Sequence, residues 1–291
     1  MFDQLFGRYL VASNRLSKDQ FEQIKEKQDL IRVRLGLIAV NEKYMTLDQV
    51  EEVNHLQAIM DKRFGDIAIE KEYLTEDQLN TLLSLQGNAY QAFIQLLVDY
   101  QYMTMDEIMD SLQIFQTLNH FSDQDMEALK SCDVDQILNV YAKVDDLKHD
   151  ELIGILVRTM IRLIDSKLVI GNMSVVNSIL VDYYAEQNLV GDFHISLVFC
   201  GEGENLIPIA NTFAGENFDQ IDEDTLDAVC EFINCVNGLY ATSLSYRNID
   251  VNMEPPQFDM NSKKIMGKEI YIVPIYLKNT SLQVAIVINE S

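Results

Sequence analysis

The chain has 291 residues, of which 48% are apolar; that is long for one domain and apolar enough to fill two cores, so two domains are expected. Its formal net charge of −24 repels nucleic acid and anionic membrane surfaces, which argues against a nucleic-acid-binding or membrane-inserted protein and favours contact with basic protein patches. Cys132, Cys200, Cys230 and Cys235 form no CxxC pair and the four histidines are equally scattered, so free thiols, no metal site and a reducing, cytoplasmic setting are expected.

Along the first 119 residues one pattern recurs. Ser17, Thr46, Thr75 and Thr104 fall 29 residues apart, followed three positions later by Gln20, Gln49, Gln78 and Glu107. This is the capping box, in which a hydroxyl accepts from an orphan helix amide and the Gln or Glu side chain reaches back to the cap. Upstream of each box lies a short apolar segment, so each unit reads helix, tight turn, helix. Such a unit cannot bury its apolar stripe alone, which predicts an all-α array of four helical hairpins stacked on one another.

The array resembles the MshEN family of N-terminal domains, whose motif opens with Arg-Leu-Gly and closes on Gln. RLGLIAVNEKYMTLDQVEEVNHLQ runs from Arg34 to Gln57 and RFGDIAIEKEYLTEDQLNTLLSLQ from Arg63 to Gln86, with AIMDK between them. The resemblance implies cyclic di-GMP as a ligand held by Arg34, Gly36, Arg63 and Gly65. Lys43 and Glu72 stand where the family has a mid-motif glycine, and no Lys or Arg occurs between Lys71 and Lys130. Two readings therefore stand side by side: a helical packing module for protein contact, and a nucleotide sensor.

Residues 120–146 are acidic and polar, with a helix expected around VDQILNVYA, and read as a connector. From 147 to 291 the texture changes. LIGILVRTMIRLIDSKL has helical spacing, and VVNSILVDYYA and FHISLVFCG are Val- and Ile-rich strands, with Gly191 and Asp192 as a hairpin signal between them. NLIPIANTFAG is a short helix, and GEGEN at 201–205 is a turn. A long helix follows, and EIYIVPIYL and SLQVAIVIN form a closing hairpin across a Lys-Asn-Thr turn. These elements predict an α+β layer fold, a mostly antiparallel sheet with helices on one face.

On the long helix, Leu226, Val229, Cys230, Ile233, Val236, Tyr240 and Leu244 recur at three- and four-residue steps and are expected to be buried. Asp227, Glu231, Asn234 and Gly238 form a second stripe by the same rule. No Lys or Arg lies between Asp222 and Tyr246, unlike an ordinary solvated face, and a mid-helix glycine costs about 1 kcal/mol relative to alanine. Cys230 and Cys235 are expected to pack, not to react.

DAVCEFINCVNGLYATSLS with the following NIDVNMEPPQF is similar to the signature of the CheX and CheC chemotaxis phosphatases, Glu-x-x-Asn-x-x-x-Gly before a strand and a proline; Glu231, Asn234, Gly238 and Pro256 take those positions. The resemblance implies hydrolysis of the aspartyl phosphate of a CheY-like response-regulator receiver. Asn234 would orient the attacking water, Glu231 would pair with the receiver's lysine, and Asp227 and Gly238 would support docking. Mg²⁺ would come from the receiver, and the protein would need no cofactor of its own. The alternative is a non-catalytic receiver-binding scaffold related to flagellar switch proteins. A homodimer is also expected, with EIYIVPIYL or SLQVAIVIN as the pairing edge.

Overall fold

The computed structural model describes residues 1–60, 62–141, 147–202, 204–278 and 280–289. Asp61 of the AIMDK spacer, residues 142–146 of the expected connector, Gly203 of GEGEN and Asn279 of the last turn lie outside the described residues. The chain divides into two units, Met1–Cys132 and Asp133–Ser291.

The first unit is helical: α1 (Phe2–Ala12), α2 (Lys18–Lys27), a 3₁₀ turn (Gln28–Leu30), α3 (Leu35–Asn41), α4 (Leu47–Met60), α5 (Phe64–Glu70), α6 (Glu76–Leu85), α7 (Ala89–Asp99), α8 (Met105–Leu118) and α9 (Asp123–Lys130). The capping boxes start α2, α4, α6 and α8. In each, the N3 amide donates to the Ser or Thr hydroxyl at 3.1–3.3 Å and the cap amide donates to the Gln or Glu side chain at 2.8–2.9 Å. A fifth box, Ser122 with Asp125, opens α9 inside the segment read as a connector.

The turns upstream of the boxes are equally regular. Asn14, Lys43, Glu72 and Gln101 have φ between 55° and 60°. After each, the next residue donates its amide five positions back, as in Tyr44 to Ala39 (2.8 Å) and Tyr73 to Ala68 (2.9 Å). This is the Schellman helix ending, whose left-handed residue is usually glycine. Lys43 and Glu72 thus hold the backbone shape of the glycine they replace, at a cost of roughly 1–2 kcal/mol each. Lys43→Gly is therefore expected to stabilise the first unit by about 1 kcal/mol, read as a rise in thermal midpoint. A lowered midpoint would assign the lysine side chain a stabilising contact.

The second unit contains α10 (Val134–Tyr141), α11 (Leu147–Leu163), β1 (Val169–Ile170), β2 (Ser174–Val181), β3 (Tyr183–Gly191), β4 (His194–Gly201), α12 (Ile207–Ala214), α13 (Glu223–Ser245), β5 (Val251–Met253), β6 (Gln257–Asp259), β7 (Lys263–Tyr276) and β8 (Ser281–Asn289). The sheet runs β1-β7-β8-β4-β3-β5, with β2 also on β7 and β6 also on β3, and its pairings are antiparallel. Helix α13 lies against β3, β5 and β6, while α11 and α12 pack on α13. An apolar cluster, including Val181, Tyr184, Val198, Ile265, Ile270 and Ala285, gathers residues from β2, β3, β4, β7 and β8.

Two strand expectations need correction. VVNSILVDYYA is not one strand. It breaks at Asp182, where Val181 pairs with Lys263 of β7 and Tyr183 pairs with Gly201 of β4, and β3 continues through the polar Glu186-Gln187-Asn188 to the expected Gly191 hairpin. Nor are EIYIVPIYL and SLQVAIVIN sheet edges. Strand β7 is flanked by β8 and β2, and β8 by β4 and β7, so neither has a free edge to offer a second copy of the chain.

Candidate functional site

Helix α13 begins where Asp222 caps it. The Asp222 carboxylate accepts from the Thr225 main-chain amide at 2.9 Å and from the Thr225 hydroxyl at 2.8 Å, and these bonds hold its pKa below the usual carboxylate value. Glu223 and Asp224 add favourable charge to the first turn. The expected apolar stripe is buried along its whole length, from Leu226 to Leu244. Phe232 adds edge contacts to Phe199 and Phe213 at ring distances of 5.7 and 5.3 Å. With that side sealed to the sheet, the helix is fixed in rotation, and its polar stripe has one direction to face.

Asp227 and Glu231 are exposed, and Asn234 and Gly238 are half-buried on the same side. A methyl group built on Gly238 meets nothing within 4 Å, so no contact inside the chain requires the glycine. Beside this stripe a cleft of about 480 Å³ is lined by Phe213, Phe218, Asp224, Asp227 and Glu231 among others. Cys230 faces inward, its thiol pushed up to about 12 by burial and then by Asp227, Glu231 and Glu186; at neutral pH it is a protonated packing group.

Asn234 is tied from beneath. Its Oδ1 accepts from Gln187 Nε2 at 2.9 Å. Gln187 sits on β3 at 1% exposure, also donates to the Glu254 main-chain oxygen at 2.9 Å, and accepts from Asn237 Nδ2 at 3.0 Å. Sequence reading missed Gln187 and Asn237. The available signal was a Glu-Gln-Asn run interrupting a strand, together with the spacing of Asn234 and Asn237 one turn apart. Pro256, singled out in the sequence, lies between β5 and β6. Pro255 and Pro256 lack amide hydrogens, so beyond the bond from the Glu254 amide to the Asn188 carbonyl (2.9 Å) the ladder along β3 is interrupted opposite Gln187, where the Glu254 carbonyl accepts from the Gln187 side chain.

The four residues singled out in the first unit lie at the starts of α3 and α5. Arg34 and Gly36 line a cleft of about 550 Å³ with Arg32, Gln57 and Gln86, and neither Arg63 nor Gly65 lines it. The Arg34 guanidinium donates to the Asp99 carboxylate. A methyl group on Gly36 would lie 2.6 Å from Val50, and one on Gly65 2.7 Å from Leu79. On the side where a Cβ would point, these glycines are packed against α4 and α6. Among the described residues no three His, Cys, Asp or Glu side chains gather as a metal-ligand set, and no helix is long and apolar enough to cross a membrane.

Residues 183–275 match the family described as "Chemotaxis phosphatase CheX", a segment that begins with β3, holds all of α13 and ends in β7. The second unit thus carries a CheX domain, of a family of phosphatases. Among solved structures, the chain is similar to a CheC-like superfamily protein from Shewanella sp. PV-4 (20% identity, 50% of this chain and 99% of that one, TM-score 0.44). It is similar also to a CheX from Desulfovibrio desulfuricans (17% identity, 49% and 99%, TM-score 0.42). A third is the CheX of a CheX–CheY–BeF₃–Mg²⁺ complex from Borrelia burgdorferi (19% identity, 49% and 98%, TM-score 0.41). No curated protein matches the chain.

Proposed function

We propose that the second unit hydrolyses the aspartyl phosphate of a CheY-like receiver. The observation that carries this reading is that Glu231 and Asn234 stand on one solvent-facing stripe of a rotationally fixed helix, inside the segment that matches the phosphatase family. An acyl phosphate is already activated, and the receiver supplies Mg²⁺ and a lysine of its own. The partner therefore has only to place a water in line with the phosphorus and hold it there.

Asn234 is the residue suited to that task. An amide carries two donors on nitrogen and two lone pairs on oxygen. With one lone pair taken by Gln187, the other accepts from the attacking water and Nδ2 donates to a phosphoryl oxygen. Glu231, one turn earlier, pairs with the receiver's lysine and sets the register of docking. Asp227 extends the acidic face, and the open space at Gly238 admits the partner's backbone. The test is release of phosphate from a labelled receiver by the wild-type chain and by Asn234→Ala. Binding without release would transfer the protein to the scaffold reading.

For the first unit, the packing of Val50 on Gly36 and of Leu79 on Gly65 and the Arg34–Asp99 pair support a module of packed helical hairpins for protein contact, MshEN-like in its motif but not a nucleotide sensor. Titration of the full chain with cyclic di-GMP is expected to give no binding heat. Heat that disappears in Arg34→Ala or Arg63→Ala would reverse that assignment.

A further inference from the structure

We propose, resting on the phosphatase reading above, that Gln187 is a positioning residue that fixes which way the Asn234 amide faces. The Glu254 carbonyl oxygen can only accept, so the side-chain atom of Gln187 that meets it at 2.9 Å is Nε2. The second hydrogen of the same amino group points at Asn234, also at 2.9 Å, so Asn234 turns its oxygen inward and its amino group outward. The other end of Gln187 is closed by Asn237, whose Nδ2 donates to Oε1 at 3.0 Å. Gln187 and Asn237 are 1% and 0% exposed, so water does not compete freely for these bonds.

The orientation is thus set by a covalently fixed carbonyl and passed through one buried amide to the helix surface. Asn234 and Asn237 lie one turn apart on α13, and both grip the same side chain of β3, which couples the rotamer of Asn234 to the seating of the helix. Were the Asn234 amide to turn over, its amino group would face the amino group of Gln187, and the groups offered to water and phosphate would be exchanged. An amide held in one orientation presents a ready-made pair of contacts; one that turns freely must be ordered in every encounter.

The experiment compares wild type, Gln187→Met and Gln187→Glu in the full chain. It uses a CheY-like receiver, phosphorylated for turnover and beryllofluoride-loaded for binding. Methionine keeps the length without donors, and it is expected to lower kcat at least about tenfold while the receiver Kd stays within about twofold. In Gln187→Glu only the protonated carboxyl can donate to Asn234. Its activity is expected to recover as pH falls across a range where the wild type gains nothing, a signature that loss of packing does not produce. The Asn234 side-chain amide resonances, assigned by their loss in Asn234→Ala, are expected to move in Gln187→Met. Unmoved resonances overturn the proposal whatever the activity, and so does a wild-type kcat in Gln187→Met or an equal loss of receiver binding and turnover. A wild-type chain that leaves the receiver's phosphoryl group in place overturns the phosphatase reading instead, and the resonances still decide the contact.

Discussion

Replacing Asn234 by alanine is expected to slow receiver dephosphorylation by about a hundredfold or more, with receiver affinity nearly unchanged. The magnitude follows from the proposed role of the residue. A water placed and oriented for in-line attack gains several kcal/mol over one that arrives by diffusion, against an upper range of ~7 to 11 kcal/mol for full entropic capture, and each 1.36 kcal/mol is tenfold in rate. Alanine keeps the helix, being the better helix former, and Asn234 is half-buried, so the core beneath it is left intact. The substitution does leave one Gln187 hydrogen without its acceptor, which costs some stability, so the thermal midpoint should fall slightly while kcat falls greatly. A variant with unchanged turnover would remove Asn234 from the chemistry.

Glu231→Lys is expected to act on the other parameter. Glu231 is exposed on a helix face that has no cation from Asp222 through Tyr246, so the residue has a charge to offer and no partner cation on its own helix. In the proposed docking, reversing its charge replaces attraction to the receiver's lysine by repulsion. Disrupting one side of a desolvated interfacial ion pair costs about 2–5 kcal/mol, or about 30-fold and upward in Kd at the lower end. Turnover at saturating receiver should be largely retained, since the water-orienting amide is untouched. Wild-type affinity in this variant would place receiver docking elsewhere on the molecule.

The two substitutions divide the site by function because the helix divides it by depth. Glu231 is exposed and, in the proposed function, reaches a partner. Asn234, set lower and tied to the sheet through Gln187, is held still. This division was only half legible in the sequence. The stripe Asp227–Glu231–Asn234–Gly238 could be read because helix periodicity is local, and the opposite stripe from Leu226 to Leu244 is indeed the buried one. The capping boxes were legible for the same reason, their partners being three residues apart.

What escaped sequence reading depended on contacts between distant segments. Glu186-Gln187-Asn188 lacks strand-forming side chains, yet β3 runs straight through it, paired on one side by β4. Its Gln187 gains meaning only from Glu254 and Asn234, 67 and 47 positions away. EIYIVPIYL and SLQVAIVIN pair with each other as expected, but their remaining edges are covered by β2 and β4, strands about a hundred residues earlier. At Lys43 and Glu72 the residue type hid a left-handed turn that only backbone geometry reveals.

In the proposed function, an exposed carboxylate and a braced amide on α13 do chemistry on another protein's phosphoryl group. The most direct measurement is the decay of a labelled aspartyl phosphate on a CheY-like receiver in the presence of substoichiometric wild-type chain. Many turnovers per molecule are expected, at a rate well above the receiver's own hydrolysis. A phosphorylated receiver that binds this chain and still loses its label at its intrinsic rate would contradict that function.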